Sequence, residues 1–261
     1  MRWLGLLVLV GMAVRAGAAT IEVSAAASLQ EALTEIARAY EHDSGDTIRL
    51  NFGASGQLLA QITHGAPVDL FISAAQAQMD ELKKARLIAG EDHLIARNTL
   101  VLIVPASAAN PPANFADLTD ARFGRIAMGQ PKTVPAGEYA MQTIKALKIA
   151  DAVKPRLVYG LNVRQVLDYV ERGEVDAGIV YATDAIAAGE KVKVAAAADE
   201  KLHEPIVYSA AVLRDAPQPA AAGAFLAYLS TRPAQAILQK KGFAPPSPTP
   251  PAPPTTKSSD E

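Results

Sequence analysis

Short runs of small and hydroxyl-bearing residues recur where a predicted strand leads directly into a predicted helix. They read Ala-Ala-Ser at 26–28, Gly-Ala-Ser-Gly at 53–56, Val-Pro-Ala-Gly at 134–137 and Leu-Asn-Val at 161–163. A helix start presents unpaired backbone N–H groups and a partial positive charge, and small residues let an anion approach them. Such turns lie at the carboxyl ends of strands, where ligands bind in open α/β sheets. The pattern predicts an anion site lined by neutral donors.

The same residues also have a purely structural interpretation. Ser28, Ser55 and Asn162 are of the types preferred at helix N-caps, and they could stabilise helix starts without contacting any ligand. Of the four runs, only the last is joined to a cation, Arg164. We interpret Arg164 as a helix-surface or lobe-bridging charge rather than as a ligand contact.

No combination of residues typical of an enzyme accompanies these turns. The four histidines (His42, His64, His93 and His203) are scattered, with no helical pair beside a glutamate. There is no Gly-x-Ser-x-Gly elbow, no P-loop and no dinucleotide-binding glycine fingerprint. The chain has no cysteine, which excludes disulfides, thiolate metal sites and a lipid-modified cysteine. We predict no catalytic residue, no cofactor and no resident metal.

Strands and helices alternate along the chain, which predicts an α/β fold of parallel sheets flanked by helices. Predicted strands cover 21–25, 47–52, 68–72, 98–104, 123–128, 156–159, 177–181, 191–195 and 205–213, the last with no obvious partner. Predicted helices cover 28–40, a segment after residue 56, 79–85, 136–147, 163–171, a segment from 184, 220–229 and 233–241. Two long apolar runs, at 98–104 and 206–213, bracket the middle third of the chain, as two crossings between lobes would. The pattern leaves open whether there is one doubly wound sheet or two lobes.

The two ends differ in kind from the rest of the chain. Arg2, an apolar run at 3–14 and Ala-Gly-Ala at 16–18 predict a cleaved signal peptide, the run being shorter than the roughly 20 residues of a membrane span. The proline-rich segment at 245–254 predicts a disordered tail. Without Arg2 and Arg15 the chain has 23 basic and 27 acidic residues, which gives a formal charge of −4. That charge disfavours a nucleic-acid partner.

Six co-linear motifs resemble the periplasmic molybdate-binding proteins of ABC importers. They are AAASL at 25–29, FGASGQL at 52–58, APVDLFISA at 66–74, VPAGEYA at 134–140, NVRQVL at 162–167 and GIVYATDA at 178–185. The resemblance extends from residue 21 to residue 243. It implies the two-lobed periplasmic binding protein fold (type II-like), each lobe a sheet flanked by helices, with the ligand in the cleft between the lobes.

The resemblance also implies five ligand contacts. Ser28 and Ser55 would offer hydroxyl and backbone donors, Ala136 and Val163 would act through backbone N–H groups, and Tyr181 would donate its phenol hydroxyl. Leu161 departs from the family, because an acidic residue often precedes the NVR motif there.

These observations give one expected organisation and function. Residues 1–19 form the signal peptide, 20–101 plus 205–243 lobe 1, 102–204 lobe 2, and 244–261 the disordered tail. The expected protein is a periplasmic monomer that binds molybdate or tungstate, the only metal being the molybdenum of the ligand, and delivers it to an ABC permease and its ATPase. One alternative is a binding protein for another tetrahedral oxyanion such as sulfate or phosphate, and another is an exported enzyme acting on phosphoryl or sulfuryl groups. A third is a ferric site, which would need clustered tyrosines, although Tyr181 has no tyrosine neighbour in the sequence.

Overall fold

A computed structural model describes residues 18–246 of the chain. The predicted signal peptide and tail lie outside the described residues, apart from their innermost two and three residues. Within the described range, no helix is both long and apolar enough to cross a membrane.

The described residues form two five-stranded sheets. The first contains β1 (Thr20–Ala26), β2 (Thr47–Gly53), β3 (Leu70–Ser73), β4 (His93–Arg97) and β10 (Val207–Val212) in the order β2-β1-β3-β10-β4. The second contains β5 (Leu100–Pro105), β6 (Ile126–Gly129), β7 (Leu157–Gly160), β8 (Ala177–Tyr181) and β9 (Val192–Ala197) in the order β7-β6-β8-β5-β9. Two lobes, each a sheet flanked by helices, are therefore confirmed.

The four helices expected at strand-end turns begin within two residues of their predicted starts, whereas the short helix at 150–153 was not predicted. Nine α-helices occur in the described residues. They are α1 (Gln30–Ser44), α2 (Ser55–Thr63), α3 (Gln76–Lys84), α4 (Pro135–Ala146), α5 (Ala150–Val153), α6 (Val163–Glu171), α7 (Ala182–Ala188), α8 (Pro219–Leu229) and α9 (Arg232–Lys240). In α1, Leu33, Ile36 and Tyr40 recur at helical spacing on the buried face. The helix ends at Gly45, whose φ of 81° is the left-handed conformation that glycine adopts without strain.

In each sheet one strand runs antiparallel to both of its neighbours, and only the first sheet takes this strand from a distant part of the chain. In the first sheet β1 pairs in parallel with β2 and β3, whereas β10 runs antiparallel between β3 and β4. In the second, β6 pairs in parallel with β7 and β8, whereas β5 runs antiparallel between β8 and β9. The two apolar runs of the sequence are thus the strands that follow each crossing between lobes.

Three details of the predicted organisation differ in the structure. The lobe boundary predicted after residue 101 falls inside β5, which starts at Leu100 and belongs wholly to the second sheet. Ala244, predicted to begin the tail, forms an antiparallel bridge with Arg97. The strand β4 was not predicted from the sequence, because this edge strand carries exposed side chains and lacks a regular apolar alternation.

Candidate functional site

A small cavity lies between the two lobes, at the carboxyl ends of the parallel strands. Twelve residues line it: Ala26, Ala27, Ser28, Gly53, Ala54, Ser55, Ala74, Val134, Pro135, Ala136, Val163 and Tyr181. All five predicted ligand contacts are among them, and none of the twelve side chains carries a charge. About 210 Å³ of space, part of it open to solvent, lies within this cavity, whereas each of four other grooves on the described surface contains 700 Å³ or more by the same measure. Its size suits a small ligand.

Ser55 is the first residue of α2 and is fully buried. Its hydroxyl oxygen accepts a hydrogen bond from the backbone N–H of Ala74, at 3.1 Å, and this N–H follows β3 of the same sheet. Because the N–H donor occupies one side of the oxygen, the hydroxyl hydrogen remains available. Ser55 can therefore donate into the cavity.

Ser28 lies in a 3-10 turn between β1 and α1, and its hydroxyl is 2.8 Å from the hydroxyl of Tyr208 on β10. Asn98 determines which of the two donates. Its amide oxygen accepts from the backbone N–H of Thr99, so its amide nitrogen must be the atom that faces Tyr208 at 3.1 Å and Thr183 at 2.9 Å. Tyr208 accepts from Asn98, and within the described residues Ser28 is the one acceptor within hydrogen-bond distance of its hydroxyl group. Donation from Tyr208 to Ser28 is therefore the arrangement that leaves no buried hydrogen unpaired. The hydrogen of Ser28 is then free for the cavity.

Two further donors are backbone groups of the second lobe. Ala136 lies in the first turn of α4, directly after Pro135, and Val163 is the first residue of α6. The N–H groups of a helix's first turn have no partner within the helix. Asn162 caps α6 by accepting from the N–H of Gln165, which leaves the Val163 N–H to the cavity.

Tyr181 ends β8 at the cavity, and its side chain is fully buried. Within the described residues its hydroxyl has no hydrogen-bond partner. Burial, and then the nearby Tyr208, raise its pKa well above the ordinary value, so the hydroxyl is a neutral donor. The ring of Tyr208 is 6.1 Å away, so Tyr181 does have a tyrosine neighbour in space, contrary to the argument from sequence. Burial also raises the pKa of Tyr208, which opposes the phenolate form that a ferric ion would need.

The lobes touch on both sides of this cavity. On one side the backbone N–H of Gly56 in α2 donates to the carbonyl oxygen of Thr133 in the second lobe, at 3.0 Å. On the other side Arg164 of α6 pairs with Glu31 of the first lobe, so its interpretation as a lobe-bridging charge agrees with the geometry. Arg164 also faces Asp184, at 3.1 Å, within its own lobe.

Asp184 is a fully buried carboxyl group behind the cavity wall. One of its oxygens accepts from the backbone N–H of Tyr181 at 3.1 Å. Burial raises its pKa to about 6, against the lowering effects of Arg164 and of the Tyr181 N–H. The group therefore fixes the strand end that presents Tyr181 without itself facing the cavity.

The capping interpretation holds for one residue of three. Asn162 is an N-cap, but the N-cap residues before α1 and α2 are Leu29 and Ala54, so Ser28 and Ser55 do not cap these helices. Sequence reasoning missed Tyr208 and Asn98. Nothing in their local pattern indicated them, because the partners of β10 could not be deduced.

Residues 18–246 contain no group of three or more His, Cys, Asp or Glu side chains arranged to hold a metal ion.

Comparisons with known proteins agree with this architecture. A family model described as a bacterial extracellular solute-binding protein matches residues 21–244. The chain is 42% identical over 226 residues to YvgL of Bacillus subtilis, assigned as a substrate-binding lipoprotein of an ABC transporter, and the match covers 86% of each chain. It is 37% identical over 231 residues to the molybdate-binding protein ModA of Escherichia coli, covering 85% of this chain and 88% of ModA.

A solved structure gives the same result. A substrate-binding domain from Clostridium difficile, assigned to a molybdenum ABC transporter, superposes with a TM-score of 0.68 at 37% identity. The match covers 87% of this chain and 99% of that domain.

Proposed function

Because this chain belongs to the bacterial extracellular solute-binding protein family, we propose that it binds molybdate or tungstate between its lobes and delivers the anion to an ABC importer. One observation carries the proposal most directly. Hydroxyl and N–H donors from both lobes converge on a small cavity whose twelve lining residues are all uncharged. The similar Escherichia coli protein is a molybdate-binding protein and the similar Clostridium difficile domain is assigned to a molybdenum transporter, which supports the choice of ligand.

Neutral donors suit a fully ionised dianion. Enclosing molybdate removes its hydration shell, a cost that is offset only if each oxygen meets donors. A hydrogen bond to a charged partner contributes about 1.5–3 kcal/mol net, so several converging donors give useful affinity without a countercharge. Ser28, Ser55 and Tyr181 would contribute hydroxyl groups, while Ala136 and Val163 would contribute backbone N–H groups.

The same donors favour molybdate over the alternative oxyanions. They stand on helix starts and strand ends, so their separation sets the size of the anion that can reach all of them. Sulfate is a smaller tetrahedron and would leave donors out of reach. Phosphate retains a proton near neutral pH, and no lining side chain is a carboxylate that could accept it.

Delivery completes the proposed function. The partners would be a membrane permease and, through it, a cytoplasmic ATPase. We further propose that the chain is exported by a cleaved signal peptide, acts as a monomer in the periplasm and has no catalytic role. The description of the family as extracellular supports export.

Calorimetric titration with molybdate, tungstate, sulfate and phosphate tests the proposal. We expect heat of binding from molybdate and tungstate, and little from sulfate or phosphate. If sulfate binds as tightly as molybdate, selection by size is wrong. If no oxyanion binds, the proposed function is wrong. Hydrolysis of a chromogenic phosphate ester would instead favour an enzyme.

A thermal melt provides a second readout. A ligand that binds only the folded chain, at a hundredfold excess over its Kd, adds about 2.7 kcal/mol to the free energy of unfolding. For a chain of this size the melting temperature should rise by roughly 5–11 °C. The only tryptophan is Trp3, within the predicted signal peptide, so circular dichroism or a dye should follow the melt. A chain ending at Ala244 should show the same shift.

A further inference from the structure

The first turn of α6 carries a cation that contacts both lobes. The Nε atom of Arg164 is 3.1 Å from Oδ1 of Asp184 in the second lobe. Its Nη2 atom pairs with Glu31 of α1 and lies 3.4 Å from the carbonyl oxygen of Ser28, both in the first lobe. The Arg164 side chain is only 17% exposed. The guanidinium group therefore fills the boundary between the lobes at one end of the cavity.

This guanidinium group is poorly suited to act as a countercharge for an anion. It already faces two carboxylates, Glu31 and Asp184, so the three groups together carry a formal charge of −1. A guanidinium group does, however, offer five N–H donors in a rigid planar fork, which allows it to hold several acceptors at once. Here the hydrogen-bond acceptors, Glu31 and the Ser28 carbonyl group, both belong to the first lobe, whereas the guanidinium group is carried by the second lobe and is paired there with Asp184. This is the arrangement required to hold the two lobes together.

We infer that Arg164 is an interlobe bridge that slows the release of the bound anion. The inference rests on the proposed function. Arg164 directly follows Val163 and contacts the carbonyl group of Ser28, so it joins one proposed ligand donor of each lobe. Opening the cleft requires these contacts to break, whereas an anion that enters an open cleft does not meet them. The bridge therefore acts on the release rate and leaves the association rate almost unchanged.

Glu31→Gln distinguishes a bridge from simple electrostatic attraction, because the two predict opposite signs. Removing a negative charge beside an anion site should tighten binding if only Coulomb attraction matters. Removing one half of the bridge should weaken it, and we expect the Kd for molybdate to rise about three- to tenfold. Glu31 is 42% exposed, so the variant should fold.

The rates and two control variants sharpen this test. The rise in Kd should appear in the release of radiolabelled molybdate chased with excess unlabelled molybdate. Glu35→Gln removes the same charge one turn along α1, from contacts with Lys240 and Lys241 at the end of α9 that stay within the first lobe. Arg172→Gln removes a positive charge from the exposed end of α6. Both controls should release molybdate at the wild-type rate.

A double-mutant cycle completes the experiment. Arg164→Gln should speed release at least as much as Glu31→Gln, and the double variant should lose no more affinity than Arg164→Gln alone. Arg164→Gln leaves the buried Asp184 without its cation and can fail to fold, in which case Glu31→Gln and Glu35→Gln decide the question. If Glu31→Gln binds molybdate as tightly as the wild type or more tightly, the bridge is overturned. The proposed function still stands in that case, because the wild-type protein binds molybdate. Absence of molybdate binding by the wild type overturns the function itself.

Discussion

The two serines that line the cavity come from the same lobe, yet their surroundings differ. Ser55 is oriented by the backbone N–H of Ala74, and beside it the lobes meet through the backbone groups of Gly56 and Thr133. Ser28 is oriented by the Tyr208 side chain, and beside it the lobes meet through charged side chains. We refer to these as the Ser55 side and the Ser28 side of the cleft.

The difference separates two ways of closing a cleft over an anion. On the Ser55 side the contacts are backbone to backbone, so they depend on the absence of a side chain at Gly56. On the Ser28 side they are side chain to side chain, so single substitutions should change them gradually. We therefore expect changes on the Ser55 side to act strongly, and changes on the Ser28 side to act in smaller steps.

Loss of a cavity hydroxyl should have the largest effect. We expect Ser55→Ala and Tyr181→Phe each to weaken molybdate binding by about 1.5–3 kcal/mol, roughly ten- to over a hundredfold, because each removes a donor to a charged ligand. Calorimetry measures the change. Ala136→Ser should cost much less, since the contact proposed for Ala136 is its backbone N–H group. Ser230→Ala, at an exposed serine, is a control that should bind normally. Wild-type affinity in both hydroxyl variants would contradict the assigned site.

Gly56→Ala should prevent the lobes from meeting on the Ser55 side of the cleft, by steric contact alone. A Cβ atom at this position would lie 2.8 Å from the Thr133 carbonyl oxygen and 2.9 Å from its Cα. Overpacking typically costs about 1–3 kcal/mol, so affinity should fall about five- to over a hundredfold. If the lobes separate when no anion is bound, the added Cβ atom meets nothing in that state. Because alanine favours a helix more than glycine does, the ligand-free melting temperature should then not fall.

Gly223→Ala is the matched control for that variant. It makes the same change within α8, where nothing lies within 4 Å of the added Cβ atom. It should keep or raise the ligand-free melting temperature and leave the Kd for molybdate unchanged. Equal affinities of the two alanine variants would show that the lobes do not meet at Gly56 when the anion is bound.

Tyr208→Phe, a change on the Ser28 side of the cleft, should lower the affinity for molybdate by a smaller amount. It removes the hydroxyl that orients Ser28 but leaves the cavity lining intact. A neutral hydrogen bond contributes about 0.5–1.5 kcal/mol net, so we expect a two- to tenfold loss of affinity. In a Ser28→Ala background the same change should have little further effect. Independent, additive losses would show that Tyr208 does not act through Ser28.

The pH dependence should be the smallest effect. The raised pKa values keep Tyr181 and Tyr208 neutral, so affinity should vary less than about twofold between pH 7 and 8.5. The pKa of Asp184, about 6, lies above the ordinary value of 3.8. Its contribution to the free energy of unfolding is therefore largest in acid, falls as pH rises from about 4 to 6 and is constant above. Thermal melts of Asp184→Asn at several pH values should lack this fall in stability between about pH 4 and 6. The same fall in the variant as in the wild type would contradict the raised pKa of Asp184.

The sequence predicted the elements well, because helix faces and strand ends are local patterns. Val163–Glu171 and Ala177–Tyr181 have the bounds that periodicity and residue type suggest. The five proposed contacts reach one cavity because each lies at a strand-to-helix turn, and parallel strands bring such turns to one edge.

The side-chain connections behind the cavity could not be predicted. Tyr208 and Asn98 meet only because β10 enters the first sheet antiparallel to β3 and β4, and no local pattern specifies that pairing. The role of Ser28 was ambiguous for the same reason. A capping serine and a serine oriented by a distant tyrosine have the same local sequence.

The late return of the chain to the first sheet also has a consequence for folding. The second sheet forms from one continuous segment, whereas the first must wait for β10, more than 100 residues beyond β4. Until β10 arrives, one edge of β3 has no partner, and an unpaired edge can pair with another chain. If the chain emerges amino end first on the far side of a membrane, the second lobe can fold as soon as β9 has emerged. The first lobe, which carries both cavity serines, then forms last.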